Sequence, residues 1–163
     1  MKKQLKIILL ASILLASHLA LFGAGVGLGI YILPILTAQE NATIAEIEEV
    51  QKVAKYSGEF KKDQKGSDAL HWANGQLFVT DNEIAFKGDV APGPDYKIYL
   101  TKKQATDKES FLDIKKEAIL IGELKNFGNF KKTIPAGVNV NEFTTVQIWC
   151  ERFSKFIGSA KYQ

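Results

Sequence analysis

Thirty successive residues, Ile7 to Leu36, carry no charge, and the run is rich in Leu, Ile, Ala and Gly. A membrane helix needs roughly 20 predominantly apolar residues, so this span is long enough to cross a bilayer with tilt to spare. The rival is a cleavable signal peptide, whose apolar region runs about 7–15 residues and ends at an A-x-A-like site. Here Leu36-Thr37-Ala38 places a bulky Leu where a small residue is wanted. Residues 1–38 are therefore expected to form an uncleaved signal anchor. Lys2, Lys3 and Lys6 precede the run, whereas Thr37 to Gln51 holds four glutamates and no basic residue. Basic flanks stay cytoplasmic, which predicts a single-pass cell-membrane protein with its N-terminus inside and the rest of the chain extracytoplasmic. The opening Met1-Lys2-Lys3 suits a bacterial-type protein.

Inside the span, Gly23, Gly25, Gly27 and Gly29 form two overlapping G-x-x-x-G patterns. Glycines four apart share a helix face and permit close approach of a second helix, so a helix-mediated homodimer is one reading; small residues are also simply common in membrane helices. The spacing does not match the G-x-G-x-x-G of a dinucleotide loop. His18, beside Ser17, is the one side chain of the span able to titrate near neutral pH, either functional or merely tolerated.

Residues 39–56 read as a juxtamembrane helical linker. Ile44, Ile47, Val50, Val53 and Ala54 recur at helical spacing, and Thr43 followed by Glu46 fits a capping box. The pattern predicts a helix ending near Ser57-Gly58. The sequon Asn41-Ala42-Thr43 has meaning only in a eukaryotic secretory pathway.

From Ser57 to Gln163 the patterning is mostly period two. Gln76–Asp81, Glu83–Phe86, Tyr96–Thr101, Ala118–Leu124, Phe130–Ile134, Phe143–Cys150 and Phe153–Tyr162 alternate or run apolar. Turn signals such as Asp81-Asn82, Pro92-Gly93-Pro94-Asp95 and Pro135-Ala136-Gly137 separate them. Several short strands at this spacing predict a mainly β, antiparallel sandwich or barrel. Asp107–Lys116 is the exception, with Phe111 and Ile114 spaced for one short helix.

Net charge is only +3, and Arg152 is the one arginine. Nucleic-acid readers cluster their basic residues and lean on Arg, so no nucleic-acid partner is expected.

The chain has a single cysteine, Cys150, directly after Trp149. In an oxidising compartment cysteines mostly pair as disulfides, and an odd one suggests a reactive thiol, an intermolecular bond or a ligand. His71 is the only histidine after the membrane segment. Two His plus Cys for blue copper, or four Cys/His ligands for structural zinc, cannot be assembled from this set. Met/His haem ligation is likewise excluded, because the only methionine is Met1. No G-x-S-x-G elbow accompanies His71 for a serine nucleophile. What remains is His71 or Cys150 as ligand to a haem-like group, or Cys150 as a thiol that is oxidised and re-reduced. Strand alternation puts Val146, Ile148 and Cys150 on the core face, where a thiol is inert, and Trp149 on the other. An outward Trp149 is either a ligand platform or covered by the segment from Lys102 to Lys116.

Several landmarks, taken in order, resemble the DM13 family. Gly58-Glu59-Phe60 is similar to its opening G-x-F, and His71-Trp72-Ala73-Asn74-Gly75 to its H-x-x-x-G step. Gly93-Pro94-Asp95 leading to Tyr99-Leu100 is similar to its G-P-D…Y-L element. Gly122-Glu123-Leu124-Lys125 and Ile134-Pro135 follow. Val146-Gln147-Ile148-Trp149-Cys150, with Phe153 and Ala160 downstream, resembles the closing V-x-I-W-C…F…A. Asn129–Thr133 departs from the family, which tends to carry a Gln and a Tyr there. The resemblance implies a DOMON-like β-sandwich over 57–163 and electron transfer in the cell envelope, with the characteristic cysteine falling on Cys150. It makes the chain a membrane-anchored extracytoplasmic redox module with a redox partner protein, haem as a candidate cofactor, and His71, Trp149 and Cys150 as candidate binding residues. The alternative is a non-catalytic binding or scaffolding sandwich at the outer face of the membrane.

Overall fold

The alternating runs pair as two antiparallel sheets of four strands each in the computed structural model, which describes residues 2–163. One sheet joins β1 (Tyr56–Phe60), β2 (Ala73–Val79), β3 (Glu83–Val90) and β6 (Phe130–Thr133) in the order β1-β2-β3-β6. The other joins β4 (Tyr96–Thr101), β5 (Ile119–Leu124), β7 (Thr145–Cys150) and β8 (Lys155–Lys161) in the order β5-β4-β7-β8. Their facing sides hold the main core, in which Leu77, Phe86 and Phe130 of one sheet meet Ile98, Ile148 and Ile157 of the other. This is the mainly β sandwich that the period-two runs predict.

Two helices extend the layering. α2 (Ile44–Lys52) buries Ile47 and Val50 against Phe78 and Ala85 on the outer face of the first sheet. Its start is a capping box in which Thr43 Oγ1 accepts from the Glu46 amide and the Glu46 carboxylate accepts from the Thr43 amide. The helix stops at Lys52, short of the Ser57-Gly58 end that its spacing predicts. The reason is strand pairing. Val53 is already solvent-exposed, the Lys55 amide bonds the Val79 carbonyl, and Tyr56 begins β1 opposite Val79. α3 (Lys108–Ile114), capped by Asp107, covers the outer face of the second sheet.

α1 (Lys2–Leu36) is one continuous helix, long and apolar enough to cross a membrane, with no buried residue. Pro34 falls in its last turn and, having no N–H, makes no helical bond to the Ile30 carbonyl. His18 Nδ1 donates to the Leu14 carbonyl, so the helix's own backbone satisfies it. A side chain at Gly23, Gly25, Gly27 or Gly29 would meet nothing within 4 Å.

The connector from α1 to α2 is laced to the sandwich. The Gln39 amide bonds the Lys125 carbonyl, the Ala42 amide bonds the Asn129 carbonyl, and Asn41 Oδ1 accepts from Asn126 and Gly128. This lacing seats the end of α1 against one end of the sandwich, where the Ala91–Asp95, Lys125–Asn129 and Glu151–Ser154 loops gather. Exposure along α1 drops from 73% at Phe22 to 42% at Tyr31 as the helix meets those loops.

Candidate functional site

At that end, the last residue of β7 and a loop between β1 and β2 open onto one cleft of about 190 Å³. Cys150 and His71 both line it, together with Tyr96, and Leu70 and Phe153 stand at its margin. The Pro92-Gly93-Pro94 turn forms a second side, and the wall facing the sandwich belongs to α1, through Gly27, Ile30 and Tyr31.

Cys150 is nearly enclosed, and its Sγ donates to the Pro94 carbonyl at 3.1 Å. Burial pushes the thiol pKa up, against the amides of Phe153 and Arg152, which favour the thiolate. At neutral pH the sulfur is therefore a protonated donor, shielded from casual oxidation.

The Gly93-Pro94-Asp95 turn is built around this sulfur. A Cβ on Gly93 would collide with the Tyr96 hydroxyl, so glycine is what lets the loop cross over that ring. Asp95 adopts φ 57, and its carbonyl accepts from the Glu151 amide, which ties the loop to the end of β7. Its carboxylate reaches Lys97 at 3.2 Å. Burial, followed by the neighbouring Cys150, pushes the Tyr96 hydroxyl far above the ordinary tyrosine range.

His71 is held by a partner that sequence reasoning passed over, Asp68. Its Nδ1 lies 2.8 Å from both oxygens of that carboxylate, and the two residues also form an isolated backbone bridge. Burial raises the Asp68 pKa, but hydrogen bonds from His71 and the Leu70 amide outweigh it and leave the carboxyl below its usual range. The D-x-x-H spacing was the signal available for this pair. With Nδ1 engaged, Nε2 is the nitrogen left for a ligand.

Trp149 goes elsewhere. It projects from the opposite face of β7 and is fully buried under α3, 4.8 Å from the Phe111 ring. Covering by the Lys102–Lys116 segment is thus the outcome, and the indole is no open platform. Around it lie Tyr99, whose hydroxyl donates to Glu151, and Lys115, whose Nζ is 2.5 Å from the same carboxylate. The Trp149 N–H has no well-aligned partner, although it helps to hold the Glu151 carboxyl down. The structure therefore brings together two of the three candidate residues, Cys150 and His71, and separates Trp149 from them.

Haem ligation by Cys150 or His71 is tested by the space available. Small-molecule and cofactor pockets usually run about 300–1,000 Å³. A cleft of about 190 Å³ takes a single ring and not a porphyrin. Among the described residues, no group of three His, Cys, Asp or Glu side chains converges to hold a metal ion.

Compared with known proteins, residues 59–162 match the model of a family described as "Electron transfer DM13". No curated protein and no solved structure matches the chain.

Proposed function

This chain belongs to the DM13 electron-transfer family, and from that premise we propose that it is a membrane-anchored extracytoplasmic redox module acting through Cys150 and a group held in its cleft. Family membership supports a general redox role. The observation that carries the finer reading is that Cys150 and His71 line one cleft, one wall of which is the apolar helix. A shielded, protonated thiol is a poor free nucleophile at neutral pH, so Cys150 acts here on a bound redox group, toward which its S–H turns from the Pro94 carbonyl. His71, oriented by Asp68, supplies the proton traffic that accompanies electron transfer at such a group.

The reading divides the chain into an anchor over 1–38, a linker over 39–56 and a redox domain over 57–163. The lysines before Ile7 orient α1 with the domain outside the cytoplasm. Gly25 and Gly29, on the face of α1 away from Gly27 and the cleft, offer a seat for a second copy's helix. A non-catalytic scaffold is favoured by one observation: a buried, carbonyl-bonded thiol is also what a core cysteine looks like.

Reductive titration of the full chain, purified in mild detergent with its native lipids, tests the redox reading. Reversible electron uptake that is lost in both Cys150→Ala and His71→Ala is the expected result. The absence of any uptake would leave the scaffold.

A further inference from the structure

We propose that the Cys150 cleft binds the ring head group of a membrane-soluble quinone, which enters sideways from the bilayer. The proposal rests on the redox reading above and names the class of group concerned.

At 1.5 Å per residue the uncharged helical run is about 45 Å long, against a hydrocarbon core of about 30 Å. Lys2, Lys3 and Lys6 hold its inner end at the cytoplasmic surface. About 20 residues on from Ile7, the outer boundary of the core falls near Val26–Gly27. The α1 residues that wall the cleft are Gly27, Ile30 and Tyr31, so the cleft sits at the outer lipid interface. Tyr31 is a residue type enriched at that depth. On the domain side, the cleft's margin carries Leu70 and Phe153, 57% and 46% exposed, two large apolar side chains turned toward the same zone.

The cleft is mostly apolar, with a few converging polar groups: the Cys150 thiol, the Tyr96 hydroxyl and the His71 imidazole. It contains no Lys or Arg, and the Asp68 carboxylate stands directly behind His71. A phosphate head group would find no cation there and one anion. A quinone is neutral, apolar across its ring, and carries carbonyl oxygens that accept from the Tyr96 hydroxyl and from a Cys150 thiol turned away from Pro94, while His71 Nε2, the acceptor nitrogen when Nδ1–H donates to Asp68, takes a hydroxyl of the reduced ring. Its isoprenoid tail would leave past Leu70 and Phe153 into lipid. A cleft of about 190 Å³ accommodates the ring alone.

The test uses the full chain in quinone-free phosphatidylcholine nanodiscs, titrated with decyl-benzoquinone. Gly27→Leu fills the cleft from the helix side, where a side chain meets nothing within 4 Å, and should weaken binding at least tenfold. Gly23→Leu, one turn away on the same helix face and outside the cleft, should leave binding unchanged. His71→Ala should also weaken it, and Cys150→Ser should retain most of it, because serine keeps a donor. Equal binding in wild type and Gly27→Leu would overturn the proposal. So would binding of decanol as tight as that of decyl-benzoquinone, which would mean acyl-chain occupancy only. Electron uptake by the wild type without quinone binding would sink this proposal and spare the redox reading.

Discussion

Trp149 and Cys150 are consecutive residues of one strand, and they occupy opposite kinds of surroundings. Trp149 lies on a flank that α3 seals with Phe111, Tyr99 and the Lys115–Glu151 pair. Cys150 lies under the Gly93-Pro94-Asp95 turn, in a cleft whose far wall is the apolar helix α1. The other flank is sealed in the same manner by Ile47 and Val50 of α2. Covered on both flanks and cleft toward α1, the sandwich suits, under the proposed anchoring, exchange at a membrane surface. That is the difference a redox module needs, since a rigid body positions the site and an accessible end loads it.

Substitutions on the two sides of β7 should behave differently. Phe111→Ala removes a fully buried ring from the α3 cover and should cost about 3–5 kcal/mol, read by chemical denaturation, with loss of the near-ultraviolet signal of Trp149. Cys150→Ser should cost less, about 1 kcal/mol, because the Pro94 carbonyl can accept from the new hydroxyl. Leu70→Ser at the cleft margin should stay within about 0.5 kcal/mol in detergent, since that side chain is 57% exposed. An equal penalty for Phe111→Ala and Leu70→Ser would erase the contrast.

Acid sharpens the same contrast. The Lys65 ammonium and the Ser110 hydroxyl hold the Asp107 carboxyl well below the usual carboxylate range. Burial raises Glu151, but Lys115 and Tyr99 more than offset it. Both folded-state pKa values lie below their unfolded values of about 3.9 and 4.3, so the stability they contribute is present above that range and lost as pH falls through it. The α3 cover should therefore loosen below about pH 4, seen as a falling near-ultraviolet signal from Trp149. Alkylation of Cys150 should instead rise with pH and reach half its maximum above the free-thiol value of about 8.5.

The sandwich was legible because Leu77, Val79, Ile98 and Ile148 alternate along their strands. What alternation could not tell was the fate of outward apolar side chains such as Phe78 and Trp149, which depends on where short helices fold back. β1 was hidden because helical spacing ran on past Val50, whereas its pairing partner Val79 is distant in sequence. Cys150 and His71 were visible as residue types. Their meeting in one cleft was not, since it depends on the Gly93-Pro94-Asp95 crossing and on the lacing of Gln39, Asn41 and Ala42 that brings α1 alongside.

One measurement bears most directly on the proposed membrane-facing cleft, and the single cysteine makes it clean. The full chain in nanodiscs at pH 8.5 is treated with an apolar, lipid-soluble maleimide or with a charged, membrane-impermeant one, and labelling of Cys150 is followed by mass. The account predicts that the apolar reagent labels Cys150 in the folded protein while the charged reagent does so far more slowly. Equal rates would put the cleft in bulk water, and labelling by neither would make Cys150 a sealed core residue; either result contradicts the account.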